Sequence, residues 1–180
     1  MHPPHLPFAA DLPGILGPLA FRPEMAAPLM AYTDQLLRGP SPLTPGEREL
    51  IAAFASHTNQ CRFCTKSHAA VAGLHLCDPQ LVAAVLEDVE LAPISPKLRA
   101  LLKIARAVAL NVAPVSDELM QAARDSGADD VSLHDAVLVA ASFCMFNRYV
   151  ESLRTFAPED PQAYAAMGER LARVGYGVQP

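Results

Sequence analysis

The sequence predicts an all-α fold, and three observations support that prediction. At several places, a residue type that caps helices is followed at once by proline. This pair is typical of helix starts, because proline at the first helical position loses no intrahelical hydrogen bond. Hydrophobic residues make up 51% of the chain, and the many alanines among them suit closely packed helices. No run alternates β-branched and polar residues as a half-buried strand would. Helices around one core account for this pattern.

The chain is expected to form one helical domain that follows a short arm. Its 180 residues lie within the range of a single domain. Residues 1–20 are rich in proline and predict an arm or extended lead-in, whereas residues 21–180 predict one all-helical domain. About seven helices and a peripheral last one are expected, at 24–38, 45–57, 60–73, 79–89, 96–111, 117–126, 131–154 and 161–174.

Capping residues set the predicted helix starts and ends. Thr44 and Glu47 have the spacing of a capping box, in which each side chain accepts a hydrogen bond from the other residue's backbone N–H. Further starts are predicted at Asp78-Pro79, Ser95-Pro96, Ser116, Asp130 and Asp160-Pro161. Gly127 and Gly175 predict helix ends, because glycine accepts the left-handed conformation that often follows a helix.

The segments between these caps have the pattern of packed helices. One face of 101–110 is apolar and consists of Leu101, Leu102, Ala105 and Val108. Cys144 lies in the apolar run 136–146 and is expected to be structural, as is Cys77 before its cap. Asn147 and Arg148, near the end of the long helix, are interpreted as packing or interface residues.

Charge and hydropathy argue against two classes of partner. The formal net charge is −5, without a block of like charges, which is contrary to the basic surface of a nucleic-acid-binding protein. The start MHPPHLPFAADLPG lacks the basic and apolar regions of a signal peptide, and the apolar runs are shorter than the ~20 residues of a membrane span. We expect no nucleic-acid partner, no membrane partner and a cytoplasmic location. A close cysteine pair in that compartment is typical of a catalytic or metal-binding site.

The segment NQCRFCTKSH is the strongest candidate for chemistry. On a helix over 60–73, Cys61, Cys64 and His68 share one face, with neighbouring Cβ atoms roughly 5–6 Å apart. His68 can accept the proton of Cys64 or stabilise its thiolate as an imidazolium. A second thiol nearby can resolve a sulfenic acid as a disulfide. The cluster therefore favours thiol redox chemistry that requires neither a metal nor an organic cofactor.

A helix start close to the pair would strengthen this chemistry. Thr58 or Asn59 is expected to cap the helix, which places Cys61 in the first turn. The free N–H groups and the helix dipole favour an anion there, and thiols at such positions have lowered pKa values.

Other interpretations of the cluster stay open. Free cysteines are among the most buried residue types, so the pair could consist of two core thiols. Cys61, Cys64 and His68, with His75 as a fourth ligand, would form a Cys2His2 zinc set. Structural zinc pairs usually lie on a knuckle or turn, however, and no second CxxC is present. A thioredoxin fold is disfavoured because no strand precedes the CxxC.

A longer stretch resembles a known family. In the run GERELIAAFASHTNQCRFCTKSHAAVA, Glu49 lies twelve residues before Cys61, which gives an E-x11-C-x2-C-x3-H pattern. With PLTPGERELIA, LLKIARAVAL and the later SGADDVSLHDAVLVAASFCMFNRYV, this run resembles the alkylhydroperoxidase D-like branch of the carboxymuconolactone decarboxylase superfamily. The greatest likeness is to its peroxidase-related proteins, and it covers roughly residues 20–155.

The resemblance implies an all-helical fold, a thiol peroxidase or disulfide-reductase activity, and homo-oligomers that are trimers or hexamers. It implies that Cys64 attacks a hydroperoxide substrate and that Cys61 is the resolving cysteine. His68 matches the histidine beside the thiol, and Glu49 matches the carboxylate that completes a proton relay. An external thiol or dithiol would be the reductant. Well-studied members carry a histidine immediately before the second cysteine, where this sequence has Phe63.

The residues by themselves indicate less about Glu49. Ala52, Ala53 and Ser56 share its helix face and would let another helix approach closely, which would partly bury the carboxylate. Without the family pattern, a solvated first-turn glutamate that the helix dipole stabilises is the simpler interpretation.

Three functions remain open at this stage. The first is a thiol-dependent peroxidase that uses the CxxC pair. The second is a carboxymuconolactone decarboxylase-like lyase, which the dithiol disfavours because lactone decarboxylation needs acid–base groups. The third is a redox-sensing dithiol protein without efficient turnover.

Overall fold

The computed structural model describes residues 3–9 and 11–177, and these residues form nine α-helices and no strand. The helices are α1 (Leu16–Phe21), α2 (Pro23–Arg38), α3 (Pro45–Thr58), α4 (Arg62–His75), α5 (Pro79–Glu87), α6 (Pro96–Leu110), α7 (Asp117–Asp125), α8 (Asp130–Ser152) and α9 (Pro161–Val174). The all-α prediction is confirmed, and every predicted helix is present with its ends within two residues. None of these helices has both the length and the apolar character of a membrane span.

The N-terminal segment contains a helix that the sequence did not predict. Within the expected arm over 1–20, α1 begins at Leu16, and residues 1, 2 and 10 lie outside the described part of the chain. The backbone N–H of His5 donates to the carbonyl of Leu153, and that of Gly14 donates to the carbonyl of Phe156. The segment before α1 therefore contacts the loop after α8. Residues 178–180, at the other end of the expected domain, also lie outside the described residues.

Most helix starts follow the predicted caps. Thr44 Oγ accepts from the Glu47 N–H, and the Glu47 carboxylate accepts from the Thr44 N–H at 2.8 Å, which completes the capping box. Further predicted caps form at Asp78, Ser95, Ser116 and Asp160. Helix α8 is capped by Asp129 and not by the predicted Asp130, because the Asp129 carboxylate accepts from the Ser132 N–H at 2.7 Å.

Helix α3 lies at the centre of the bundle. It packs against α4, α6 and α8, and ten of its fourteen residues are buried. Leu50, Ile51 and Phe54 contribute one side of α3 to the main apolar core. Because neighbouring helices cover the other side as well, the polar side chain of Glu49 is also buried.

A close approach between α4 and α9 shapes the region that carries the cysteine pair. A Cβ atom at Gly168 would lie 2.9 Å from the Cβ of Ala70, a distance shorter than normal van der Waals contact. Glycine on α9 opposite alanine on α4 therefore lets the two helices pack closely. This packing brings α9, and the residues that follow it, against the helix that contains Cys64 and His68.

Candidate redox site

The turn between α3 and α4 places the two cysteines. Helix α3 ends at Thr58, Gln60 turns the chain with a φ of 60°, and Cys61 is the N-cap of α4. The prediction that Thr58 or Asn59 caps this helix and that Cys61 lies in its first turn is therefore wrong. The turn delays the helix start by two residues, so Cys64 occupies the first turn instead. The free N–H groups of that turn favour an anion on Cys64.

Both cysteines of the pair are buried, free thiols. Cys61 is fully buried, and Cys64 is 4% exposed. Cys77 is exposed beyond the far end of α4, and Cys144 is half-buried on α8. The CxxC pair therefore lies in a different environment from the other two thiols.

The environment shifts the pKa values of the two thiols in opposite directions. The pKa of Cys64 lies below its ordinary value chiefly because the Cys61 thiol donates a hydrogen bond to its sulfur. Burial opposes this shift, whereas the charge of His68 and a hydrogen bond from Asn147 add to it. The pKa of Cys61 is raised, first because its thiol donates to Cys64 and then because burial penalises its thiolate. Cys64 is therefore the thiol that ionises first.

His68 and Glu49 form a buried pair behind Cys64. His68 Nδ1 lies 2.7 Å from Glu49 Oε2, and Glu49 is 1% exposed. The interpretation of Glu49 as a solvated glutamate is therefore wrong, because neighbouring helices cover its face of α3. The ring of Phe143 packs edge-on against the imidazole, with centroids 4.4 Å apart. Since Nδ1 engages the carboxylate, Nε2 is the ring nitrogen left to exchange a proton.

Two further side chains join this cluster without having been predicted. The Tyr176 hydroxyl donates to Glu49 Oε1 at 2.7 Å. Asn147 is buried, donates to Ser56 Oγ at 3.0 Å and contributes to the lowered pKa of Cys64. The sequence offered one signal for Asn147, since an amide within the apolar sequence of α8 indicates a buried polar residue. Tyr176 follows the last helix, and no local pattern indicates its position.

Cys64 and His68 line a cavity of about 80 Å³. Its other walls are largely apolar and include Ile15, Leu16, Met30, Phe63, Phe143, Phe146, Met167 and Leu171. Phe63, the residue directly before Cys64, thus contributes an apolar ring to this cavity. Among the described residues that line this cavity, His68 is the only imidazole.

The zinc interpretation does not fit the positions of its proposed ligands. His75 follows His68 by seven residues on α4, which separates them by roughly 10 Å along the helix axis. In the described part of the chain, no group of three or more His, Cys, Asp and Glu residues is arranged to hold a metal ion.

The opposite pKa shifts predict selective alkylation of the pair. Only a thiolate reacts with iodoacetamide, so the rate at each cysteine rises with pH until that thiol is fully ionised. Cys64, whose pKa is lowered, is expected to react at a lower pH than Cys61, whose pKa is raised. Peptide-resolved mass spectrometry after timed alkylation separates both from the exposed Cys77. Faster labelling of Cys61 than of Cys64 would contradict the assignment.

Comparisons with known proteins place the chain among its relatives. The model of the carboxymuconolactone decarboxylase family matches residues 23–106, which include Glu49, Cys61, Cys64 and His68. A crystal structure from Ralstonia eutropha JMP134, described as an alkylhydroperoxidase AhpD core and an uncharacterized peroxidase-related protein, is 29% identical. The structural match covers 87% of this chain and 80% of that chain, with a TM-score of 0.76.

The chain is similar to the carboxymuconolactone decarboxylase family over residues 23–106, which are just under half of its 180 residues. The crystal structure of an uncharacterized peroxidase-related protein from Silicibacter sp. TM1040 has the same fold, with a TM-score of 0.78 over 93% of this chain and 99% of that one, at 24% identity. No curated protein matches the sequence. Tyr176 and Asn147 lie outside the segment that the superfamily model matches.

Proposed function

We propose that the protein is a thiol peroxidase that reduces an organic hydroperoxide through Cys64 and Cys61. The observation that carries the proposal is the position of Cys64. Its thiol has a lowered pKa, lies in the first turn of α4, and lines an apolar cavity together with His68, which is paired with Glu49. The similarity to the uncharacterized peroxidase-related protein of Ralstonia eutropha supports a peroxidase activity for this chain.

In the first step, the Cys64 thiolate attacks the terminal oxygen of the hydroperoxide. A sulfur–oxygen bond forms while the oxygen–oxygen bond breaks, and the alkoxide leaves with a proton from His68. The products are an alcohol and a sulfenic acid on Cys64. Glu49 stabilises the imidazolium that supplies the proton, so this pair acts as the proton relay. The apolar walls of the cavity suit the alkyl part of such a substrate.

In the second step, Cys61 attacks the sulfur of the sulfenic acid. A disulfide bond forms, the sulfur–oxygen bond breaks, and hydroxide leaves as water with the proton of Cys61. Oxidation of Cys64 removes the thiolate that holds the Cys61 proton in a hydrogen bond. The main cause of the raised pKa of Cys61 therefore disappears when Cys61 is required as a nucleophile.

In the third step, an external thiol or dithiol reduces the disulfide between Cys61 and Cys64. Two thiols of the reductant become one disulfide, and both cysteines of the protein regain their protons. The net reaction converts a hydroperoxide and a dithiol into an alcohol, water and a disulfide. Neither a metal nor an organic cofactor takes part in this sequence.

Thiol titration with one measured dose of hydroperoxide tests the proposal. We expect the protein to lose both thiols of the pair, and mass spectrometry to find a peptide in which Cys61 is joined to Cys64. Cys77 and Cys144 are expected to remain free, because neither lines the cavity that contains Cys64. An unchanged thiol count, or a disulfide that contains Cys77 or Cys144, would contradict the mechanism.

The same preparation separates the peroxidase from its two alternatives. Repeated additions of hydroperoxide with excess dithiothreitol give many turnovers for a peroxidase, but one oxidation per cycle for a sensor. A lactone-decarboxylating activity that survives alkylation of both cysteines would favour the lyase.

The proposal includes self-association of the chain, as trimers or hexamers. Several large apolar side chains are exposed on α6, on the loop after it and on α8: Leu110, Val112, Val131 and Met145. Val112 and Met145 line one broad open groove. Exposed apolar surface of this kind is typical of interaction sites, which supports contact between copies of the chain.

A further inference from the structure

Tyr176 makes a short contact with the buried carboxylate of Glu49. Its hydroxyl donates to Oε1 at 2.7 Å, while His68 Nδ1 lies 2.7 Å from Oε2. The two donors lie 3.2 Å from each other, and the phenol and imidazole rings stack with centroids 5.9 Å apart and planes 14° apart. Each carboxylate oxygen of Glu49 therefore has its own donor, and the three side chains form a closed triangle.

Interactions with α2 hold Tyr176 in this position. Asp34 Oδ1 accepts a hydrogen bond from the backbone N–H of Tyr176 at 2.9 Å. Arg38 lies 3.6 Å from the same carboxylate oxygen and donates to the carbonyl oxygens of Leu171 and Ala172 at the end of α9. These interactions hold the end of α9 and Tyr176 against α2, a helix that contributes neither cysteine.

The backbone before Tyr176 requires glycine. Gly175 has a φ of +80°, and a Cβ atom there would lie 2.3 Å from Asp34 Oδ1. Any other residue would strain the backbone and displace the carboxylate that binds the Tyr176 N–H. The segment therefore has a specific conformation that directs the phenol inward.

We propose that Tyr176 is a positioning residue that holds the Glu49 carboxylate against His68 and so fixes the imidazole beside Cys64, which makes the segment after α9 part of the redox site. The inference rests on the proposed function, since it assigns a role within the same proton relay. A buried carboxylate needs a donor for each oxygen to stay charged. Without the hydroxyl, one oxygen of the buried carboxylate loses its donor, and Glu49 no longer holds the imidazole in place beside the thiolate.

The ionisation of Tyr176 does not interfere with this role. Burial raises the pKa of Tyr176 well above its ordinary value, and the charge of Glu49 and the hydrogen bond to it raise the pKa further. The phenol therefore stays protonated and able to donate wherever Cys64, whose pKa is lowered, titrates. Other titratable or charged groups that act on Cys64 or Tyr176 are Cys61, Glu151 of α8, Tyr164 of α9, and Asp34 and Arg38 of α2.

The pH dependence of Cys64 alkylation in Tyr176→Phe tests the proposal. This substitution removes one hydroxyl and keeps the ring. We expect the midpoint of the iodoacetamide profile at Cys64 to rise by about one pH unit, and alkylation below the midpoint to slow by roughly tenfold. Mass spectrometry assigns the label to Cys64, and no hydroperoxide is added.

Tyr32→Phe is the matched control, because it removes a hydroxyl that bonds Ser142 Oγ at 2.6 Å and touches neither Glu49 nor His68. Its profile is expected to match that of the parent protein. A second variant, Gly175→Ala, displaces Tyr176 without changing any side chain of the triangle and is expected to shift the midpoint in the same direction. A lowered melting temperature in Tyr176→Phe without a shift of the midpoint would show a structural role only and overturn the proposal.

The readout also separates this inference from the proposed function. If the midpoint shifts in Tyr176→Phe but the parent protein does not turn over hydroperoxide, the role of Tyr176 is supported and the peroxidase is rejected. Peroxide turnover with an unshifted midpoint supports the peroxidase and rejects the role of Tyr176.

Discussion

Substitution of Cys64 by serine is expected to lower the rate of hydroperoxide consumption by roughly 10³-fold or more, to the background of the reductant alone. A serine hydroxyl does not ionise at neutral pH and cannot form the sulfenic acid that the mechanism requires. The substitution is nearly isosteric in a residue that is 4% exposed, so the fold is expected to persist. Hydroperoxide loss is followed with a dithiol reductant present, and circular dichroism checks the fold.

Two companion variants define what the loss means. Cys77→Ser removes an exposed thiol at the far end of α4 and is expected to leave the rate unchanged. Cys61→Ser keeps the attacking thiol but not the resolving one, so one oxidation is expected to stop at a sulfenic acid that dimedone traps on Cys64. Unchanged turnover in Cys64→Ser would exclude Cys64 as the nucleophile.

Substitution of Glu49 by glutamine is expected to lower kcat/KM for the hydroperoxide by about 10²-fold, within the range for loss of a proton-transfer group. The amide has nearly the same shape but carries no charge, so it cannot stabilise His68 as an imidazolium. It also supplies only one acceptor oxygen, whereas His68 and Tyr176 each occupy one oxygen of the carboxylate. One of these two contacts must be lost or become a contact between two donors.

Glu47→Gln is the control for this variant. Glu47 lies two residues earlier on α3, but its carboxylate belongs to the exposed capping box with Thr44. Its loss is expected to cost at most about 1 kcal/mol of unfolding free energy and to leave kcat/KM unchanged. A rate for Glu49→Gln equal to that of Glu47→Gln would remove Glu49 from the proton relay and leave it a structural role.

The secondary structure was predictable because capping depends on residues that are neighbours in sequence. The capping box at Thr44 and the caps at Asp78, Ser95, Ser116 and Asp160 each involve atoms two or three residues apart. A reader of the sequence can therefore identify them without knowing the fold. The exception near the site was the start of α4, where Gln60 adopts a positive φ that its side chain does not signal.

The sequence by itself determined that the chain is helical and that two thiols, a histidine and a glutamate have the spacing of a known superfamily. The tertiary structure decided that Glu49 is buried against His68, that Cys64 and not Cys61 lies in the first turn, and that Asn147 of α8 hydrogen-bonds Ser56 of α3. Only the tertiary structure showed the hydrogen bond between Tyr176 and Glu49, which lie 127 residues apart in the sequence. The physical reason is that burial and long-range hydrogen bonds depend on how the helices pack around α3, and no local pattern of residues encodes that packing.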